Sequence, residues 1–108
     1  MAQASGNTTT KTGNGLGDWV KLSPGANRVT VEAVTWGGAS AGLRYSPDGT
    51  DAREFTIKDD IGGAEVVATE NEGYDVNGPG WITIDVSSTG GTPKTLTVER
   101  ITPVLGPR

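Results

Sequence analysis

Apolar and polar residues alternate in short runs along the chain, and the runs are separated by segments rich in glycine and proline. Such period-two patterning marks strands with one buried and one wet face. "DWVKL" (18–22) is the first candidate strand, ended by the turn "SPGAN". "RVTVEAVTW" (28–36) is the strongest: Val29, Val31 and Ala33 alternate against Thr30 and Glu32. Its phase changes at Val34 and Trp36, which predicts a bulge or a strand end near residue 34. "AGLRYS" (41–46), "REFTI" (53–57, Phe55 and Ile57 inward) and "AEVVAT" (64–69) follow, and "GYDVN" adds a short edge strand. "WITIDVSS" (81–88) sends Ile82, Ile84 and Val86 inward and Trp81, Thr83 and Asp85 outward. "TLTVERI" (95–101) turns Leu96 and Val98 to the core, and "STGGTPK" between these last two predicts a hairpin loop.

No window carries the i, i+3, i+4, i+7 spacing of an amphipathic helix without a glycine or proline interruption. The fold class predicted is all-β: an antiparallel β-sandwich, jelly-roll-like, of roughly seven to eight short strands. One-sided alternation excludes a parallel sheet, whose strands would be apolar on both faces. The organisation predicted is a flexible or extended N-terminal arm over 1–17, a sandwich domain over 18–102 and a tail over 103–108. The apolar set is lean for such a domain, which favours self-association.

Composition narrows the chemistry. The 108 residues include no histidine and no cysteine. That removes the usual general base at neutral pH, thiolate metal sites and disulfides. No catalytic residue, cofactor site or metal ligand is assigned, and the chain is expected not to be an enzyme. The net charge of −4, with no basic cluster, argues against nucleic acid. No apolar run reaches membrane-spanning length, and the N-terminal stretch lacks the apolar core of a secretory signal.

Three acidic groupings call for a choice between binding and bland roles, the binding role being an ion site for the two aspartate pairs and an acidic contact patch for Glu70, Glu72 and Asp75. In "YSPDGT" every residue fits turn geometry: proline presets φ, Asp48 tolerates the next position and Gly49 takes the left-handed one. Asp48 and Asp51 therefore read as turn chemistry. Asp59 and Asp60, adjacent in a loop, would point apart and read as solvated. Glu70, Glu72 and Asp75 read as a charged connection or edge that blocks unwanted strand pairing. The tryptophans Trp19, Trp36 and Trp81, with Tyr74, leave three roles open: stacking on sugars as in a carbohydrate-binding module, anchoring a protein interface, or burial at the sandwich ends.

With the strands placed, residues 18 to 101 resemble the small jelly-roll decoration, or cement, proteins of tailed bacteriophages. The order of "DWVKL", "SPGANRVTVEAVTWGGA", "LRYSPDGTD" and the closing "TLTVERI" carries the resemblance. It implies a virion protein, made in the host cytoplasm and bound to the capsid exterior. There it would act as a homotrimer clamping major capsid protein subunits, with no cofactor, nucleic acid or membrane partner. Thr8, Thr9, Thr10, Trp19, Trp36 and Trp81 are the expected capsid or subunit contacts. Deletion of 1–15 is then expected to weaken attachment more than folding. A carbohydrate-binding module, or a head-fibre or tail adhesin, is the alternative.

Overall fold

Two strands much longer than the pattern suggested carry the fold. The structure, a computed structural model, describes residues 2–58, 63–87 and 90–101. Its strands are β1 (Thr8–Lys11), β2 (Gly15–Leu16), β3 (Val20–Glu32), β4 (Ser40–Ser46), β5 (Phe55–Thr56), β6 (Val67–Ala68), β7 (Glu72–Ser87) and β8 (Lys94–Arg100). The main sheet order is β1-β8-β3-β7-β4-β5, with β2 also on β7 and β6 on β4; every pair is antiparallel. The expected all-β, sandwich-like architecture is what the chain adopts.

The expected break at "SPGAN" is instead a corner within β3. Val20–Leu22 pair with Ile82–Gly80, the register shifts between Pro24 and Gly25, and Ala26–Val31 then pair with Asn77–Glu72. Pro24 has no N–H to give the ladder, and Gly25 adopts φ 89°. Asn27, fully buried, supplies what the backbone loses. Its Nδ2 donates to the carbonyls of Ser23 (2.9 Å), Gly25 (3.1 Å) and Val76 (3.3 Å), and its Oδ1 accepts from Ser23 N–H at 3.1 Å. Opposite the bulge lies Gly78, where any Cβ would collide with the Ser23 carbonyl oxygen. β3 and β7 thus turn together, as strands do where they pass between packed sheets.

The corner splits the molecule into two leaves. One holds β1, β8, the 25–32 limb of β3 and the 72–78 limb of β7. The other holds β2, the 20–22 and 80–87 limbs, β4, β5 and β6. Val29, Val31, Leu96 and Val98 from the first meet Val20, Leu22, Ala41, Leu43, Ile82, Ile84 and Val86 from the second in one core. Among them Val29, Val31, Ile82, Ile84, Val86, Leu96 and Val98 are positions the alternation assigned inward. "GYDVN" is one limb of β7 rather than a separate edge strand. β8 pairs with β3 and β1, not with β7, so the connection after Ser87 crosses between leaves and is no hairpin. Thr92 N–H donates to Thr35 O at 2.8 Å, tying that crossing to the end of β3. Phe55, expected inward, is 54% exposed, because the two-residue β5 that follows the 3-10 turn Asp51–Arg53 is an outermost strand. The tail 103–108 lies outside the described residues.

The N-terminal segment is part of the fold. Thr8–Lys11 pair with Thr97–Lys94, and Val98 N–H donates to Asn7 O at 2.8 Å. Ala4 N–H donates to Trp19 O (2.7 Å) and Trp19 N–H to Ala2 O (2.9 Å). Thr83, expected to face outward, is buried. Gly17 N–H bonds Ile84 O, and Thr83 Oγ1 donates to Asp18 O at 2.8 Å, so its hydroxyl is satisfied beneath this segment. Among the described residues no buried side-chain polar atom lacks a partner.

Asn27→Ala removes four hydrogen bonds at the corner and is expected to lower the urea-unfolding free energy by about 2–4 kcal/mol, against about zero for exposed Asn77→Ala. Deletion of 1–11 strips β1 from Leu96 and uncovers Trp19. It is expected to reduce stability by several kcal/mol, with Trp19 becoming accessible to a fluorescence quencher; an unchanged urea midpoint would contradict this.

Candidate functional site

The "YSPDGT" turn, the first place to look for paired carboxylates, spends them internally. Asp48 Oδ1 accepts from Thr50 Oγ1 (2.7 Å), Ser46 Oγ (3.0 Å) and Thr50 N–H (3.2 Å), and Arg53 Nη1 stands 3.8 Å from its other oxygen. Gly49 takes φ 74°, and its bare Cα lets the turn lie on Trp81: a Cβ there would come 2.8 Å from the indole. Asp51 accepts from Trp19 Nε1 at 2.7 Å, so it ties the 3-10 turn to the start of β3. The two carboxylates serve different elements. Among the described residues no group of three or more metal-ligating side chains comes together. Asp59 and Asp60 lie outside those residues.

The tryptophans do not share a platform. Trp19 is fully buried, which removes it from the expected contact surface: the N-terminal segment covers it and Asp51 satisfies its N–H. Trp81 is half-buried beneath Gly49, beside the corner. Trp36, also half-buried, donates from Nε1 to Asn71 Oδ1 at 2.9 Å, and Lys94 Nζ lies 5.5 Å from its ring centroid. That ammonium is itself buried and donates to Gly90 O and Thr92 O at 2.6 and 2.7 Å. Ser87, which pairs with Ser40 near Trp36, is six residues of extended chain from Trp81, about 20 Å.

The threonines behave differently. Thr9 is buried, its Oγ1 accepting from Asp18 N–H at 3.0 Å, while Thr8 and Thr10 are exposed. Thr8, Thr97 and Thr30 form one cross-strand row, and Thr10 lies 3.0 Å from Thr95, oxygen to oxygen, in the next. β1 is the outermost strand of its leaf and carries no charge until Lys11.

At the acidic stretch 70–75, which the sequence offered as a contact patch or a charged edge, the structure adds an open strand edge and a groove. On the far side of the same leaf, the 72–78 limb of β7 pairs, among the described residues, only with β3, since β4 joins β7 from Trp81 onward. Beside it lies a groove of about 280 Å³ lined by Leu43, Ile57, Val66, Tyr74 and Val76 together with Lys58 and Asp75. Tyr74 Oη donates to Glu72 Oε2 at 3.0 Å; burial and then that carboxylate push its phenol up to about 12. The acidic alternation in "TENEGYD" was the available signal, but alternation does not reveal which edges lack a neighbour.

The Thr50 hydroxyl, with Ser46, the Thr50 N–H and Arg53 adding to it, holds the Asp48 carboxyl below its ordinary 3.8. A depressed carboxylate contributes stability above its unfolded pKa and loses it as pH falls through the folded one. The Asp48 side-chain carbon should therefore titrate in NMR with a midpoint below 3.8, and the Thr50 amide should move with it. In Asp48→Asn that amide should show no such transition.

Comparison of the chain with protein-family models, with characterised proteins and with solved structures gave no match, so the fold and the site geometry stand on their own.

Proposed function

We propose that the chain is a structural, non-enzymatic protein that binds the outside of a tailed-phage capsid as a decoration protein, a homotrimer whose partner is the major capsid protein. The observation that carries this role is the outermost strand β1. Its three threonines present an uncharged edge, and the exposed ones lie in register with further threonines on β8 and β3. Proteins that work alone blunt such edges with charge, proline or bulges, so an unblunted one favours assembly. The side chains that chemistry would have used support the same role: Asp48, Asp51, Trp19 and Lys94 are each engaged in holding the fold. The motifs behind the resemblance keep their order, with "YSPDGT" joining β4 to the 3-10 turn and "TLTVER" filling β8.

Light scattering of the purified chain should give about three times the 11.1 kDa chain mass. The chain should also co-sediment with capsids lacking their decoration protein. Sedimentation of the capsids without it would remove the role.

A further inference from the structure

We propose that copies of this chain associate through a single head-to-tail strand contact, β1 of one copy adding to the free edge of the β7 limb 72–78 in the next. The contact rests on the assembly role above and names the surface that role would use. Backbone geometry sets its first requirement. Val98 N–H donates to Asn7 O, and the Asn7 side-chain Nδ2 returns a bond to Val98 O, so in the alternating antiparallel pattern the facing pairs that turn their backbone groups to each other are Asn7/Val98, Thr9/Leu96 and Lys11/Lys94. The backbone groups of Thr8 and Thr10 consequently point away from β8, toward open space. The β7 limb offers a matching edge, with no strand on that side among the described residues.

Direction and pleat agree as well. Three antiparallel pairings separate β1 from the β7 limb, so the two edges of the leaf run in opposite senses. A neighbouring copy turned about an axis along the strands therefore brings β1 antiparallel to β7. The register Thr8 with Asp75, Thr9 with Tyr74, Thr10 with Gly73 and Lys11 with Glu72 keeps the core-facing residues of both strands on one side. Thr9 then packs on Tyr74 over the groove, and Lys11 meets Glu72. Neither of those two charges has an ion-pair partner among the described residues. Pairing β1 with its own copy would leave Lys11 and Glu72 apart and the groove open. Because the two surfaces differ, the contact propagates head to tail and closes into a ring when the rotation allows it.

The chain has no cysteine, which makes cross-linking unambiguous. Lys11 and Glu72 would form a non-hydrogen-bonded pair with Cα atoms about 4.5 Å apart, within disulfide reach. Mixing Lys11→Cys with Glu72→Cys under mild oxidation should yield a disulfide-linked dimer containing one of each, and neither variant alone should. Lys11→Glu should weaken self-association about tenfold, and adding Glu72→Lys should restore it. Circular dichroism of each variant separates loss of contact from loss of fold. Lys11→Cys dimerising with itself, or no mixed dimer from folded variants that scatter as oligomers, would overturn this contact and leave the assembly role standing. A wild-type chain that is monomeric at every concentration but still coats capsids would overturn the contact and the trimer and leave the capsid role, and one that does neither would overturn all three.

Discussion

The corner at Asn27 is the constraint on which the rest of the molecule depends. A two-stranded ladder of β3 and β7, left straight, would expose the apolar face of both strands. Bending both at one level folds the ladder onto itself and brings the inner residues of its two halves together. The bend interrupts the ladder where Pro24 cannot donate and the register slips, and backbone groups stranded there would each cost about 1–3 kcal/mol. One buried amide meets four of these demands at once, reaching across to Val76 as well as back to Ser23 and Gly25. An aspartate at the same site could accept but not donate, leaving the three carbonyls without the donors that Nδ2 provides.

From the corner follows the placement of the candidate surfaces. The bend sends the 72–78 limb of β7 to the margin of one leaf while the 81–87 limb becomes central in the other, between β4 on one side and β2 and the start of β3 on the other. It also sets the "YSPDGT" turn over Trp81, with Trp19 beneath the N-terminal segment. The indole of Trp19 needs a hydrogen-bond acceptor once buried, and Asp51 meets that need from the far side of the turn. The carboxylates that looked like candidate chemistry are thus the polar complement of aromatic burial and tight turning.

Period-two alternation made the inner faces legible. Val29, Val31, Leu96, Val98, Ile82, Ile84 and Val86 are buried as their spacing required. The turn at Gly49 was equally legible, because its residues act within a few positions of one another. What the pattern hid were consequences of distant contacts. Pro24-Gly25 looks like a strand terminator until Asn27 finds Val76, forty-nine positions away. Thr83 alternates as an outward residue, yet it lies under Asp18 and Gly17, a covering that no local spacing encodes. Polar composition made residues 1–17 read as a flexible or extended arm. Threonine hydroxyls and backbone groups nevertheless find partners in β8, Trp19 and β7, which lets a segment with few apolar side chains join the fold.

The two leaves treat their margins differently, and that asymmetry bears on assembly. In one leaf the outer strands β5 and β6 are two residues each, too short to template a partner. In the other, β1 and the β7 limb offer longer stretches, one threonine-rich and ending in Lys11, the other bearing Glu72 and Asp75. Were both margins of this leaf alike, strand addition would be indiscriminate and growth would not be directed. Unlike margins favour one mode of addition, because like meets unlike only head to tail. Each new contact adds hydrogen bonds between backbones already held extended, so little conformational entropy is lost in forming it. The ladders to β8 and β3 hold those margins extended, and the corner that a buried asparagine completes sets where they lie, at the surfaces by which copies of this chain would meet.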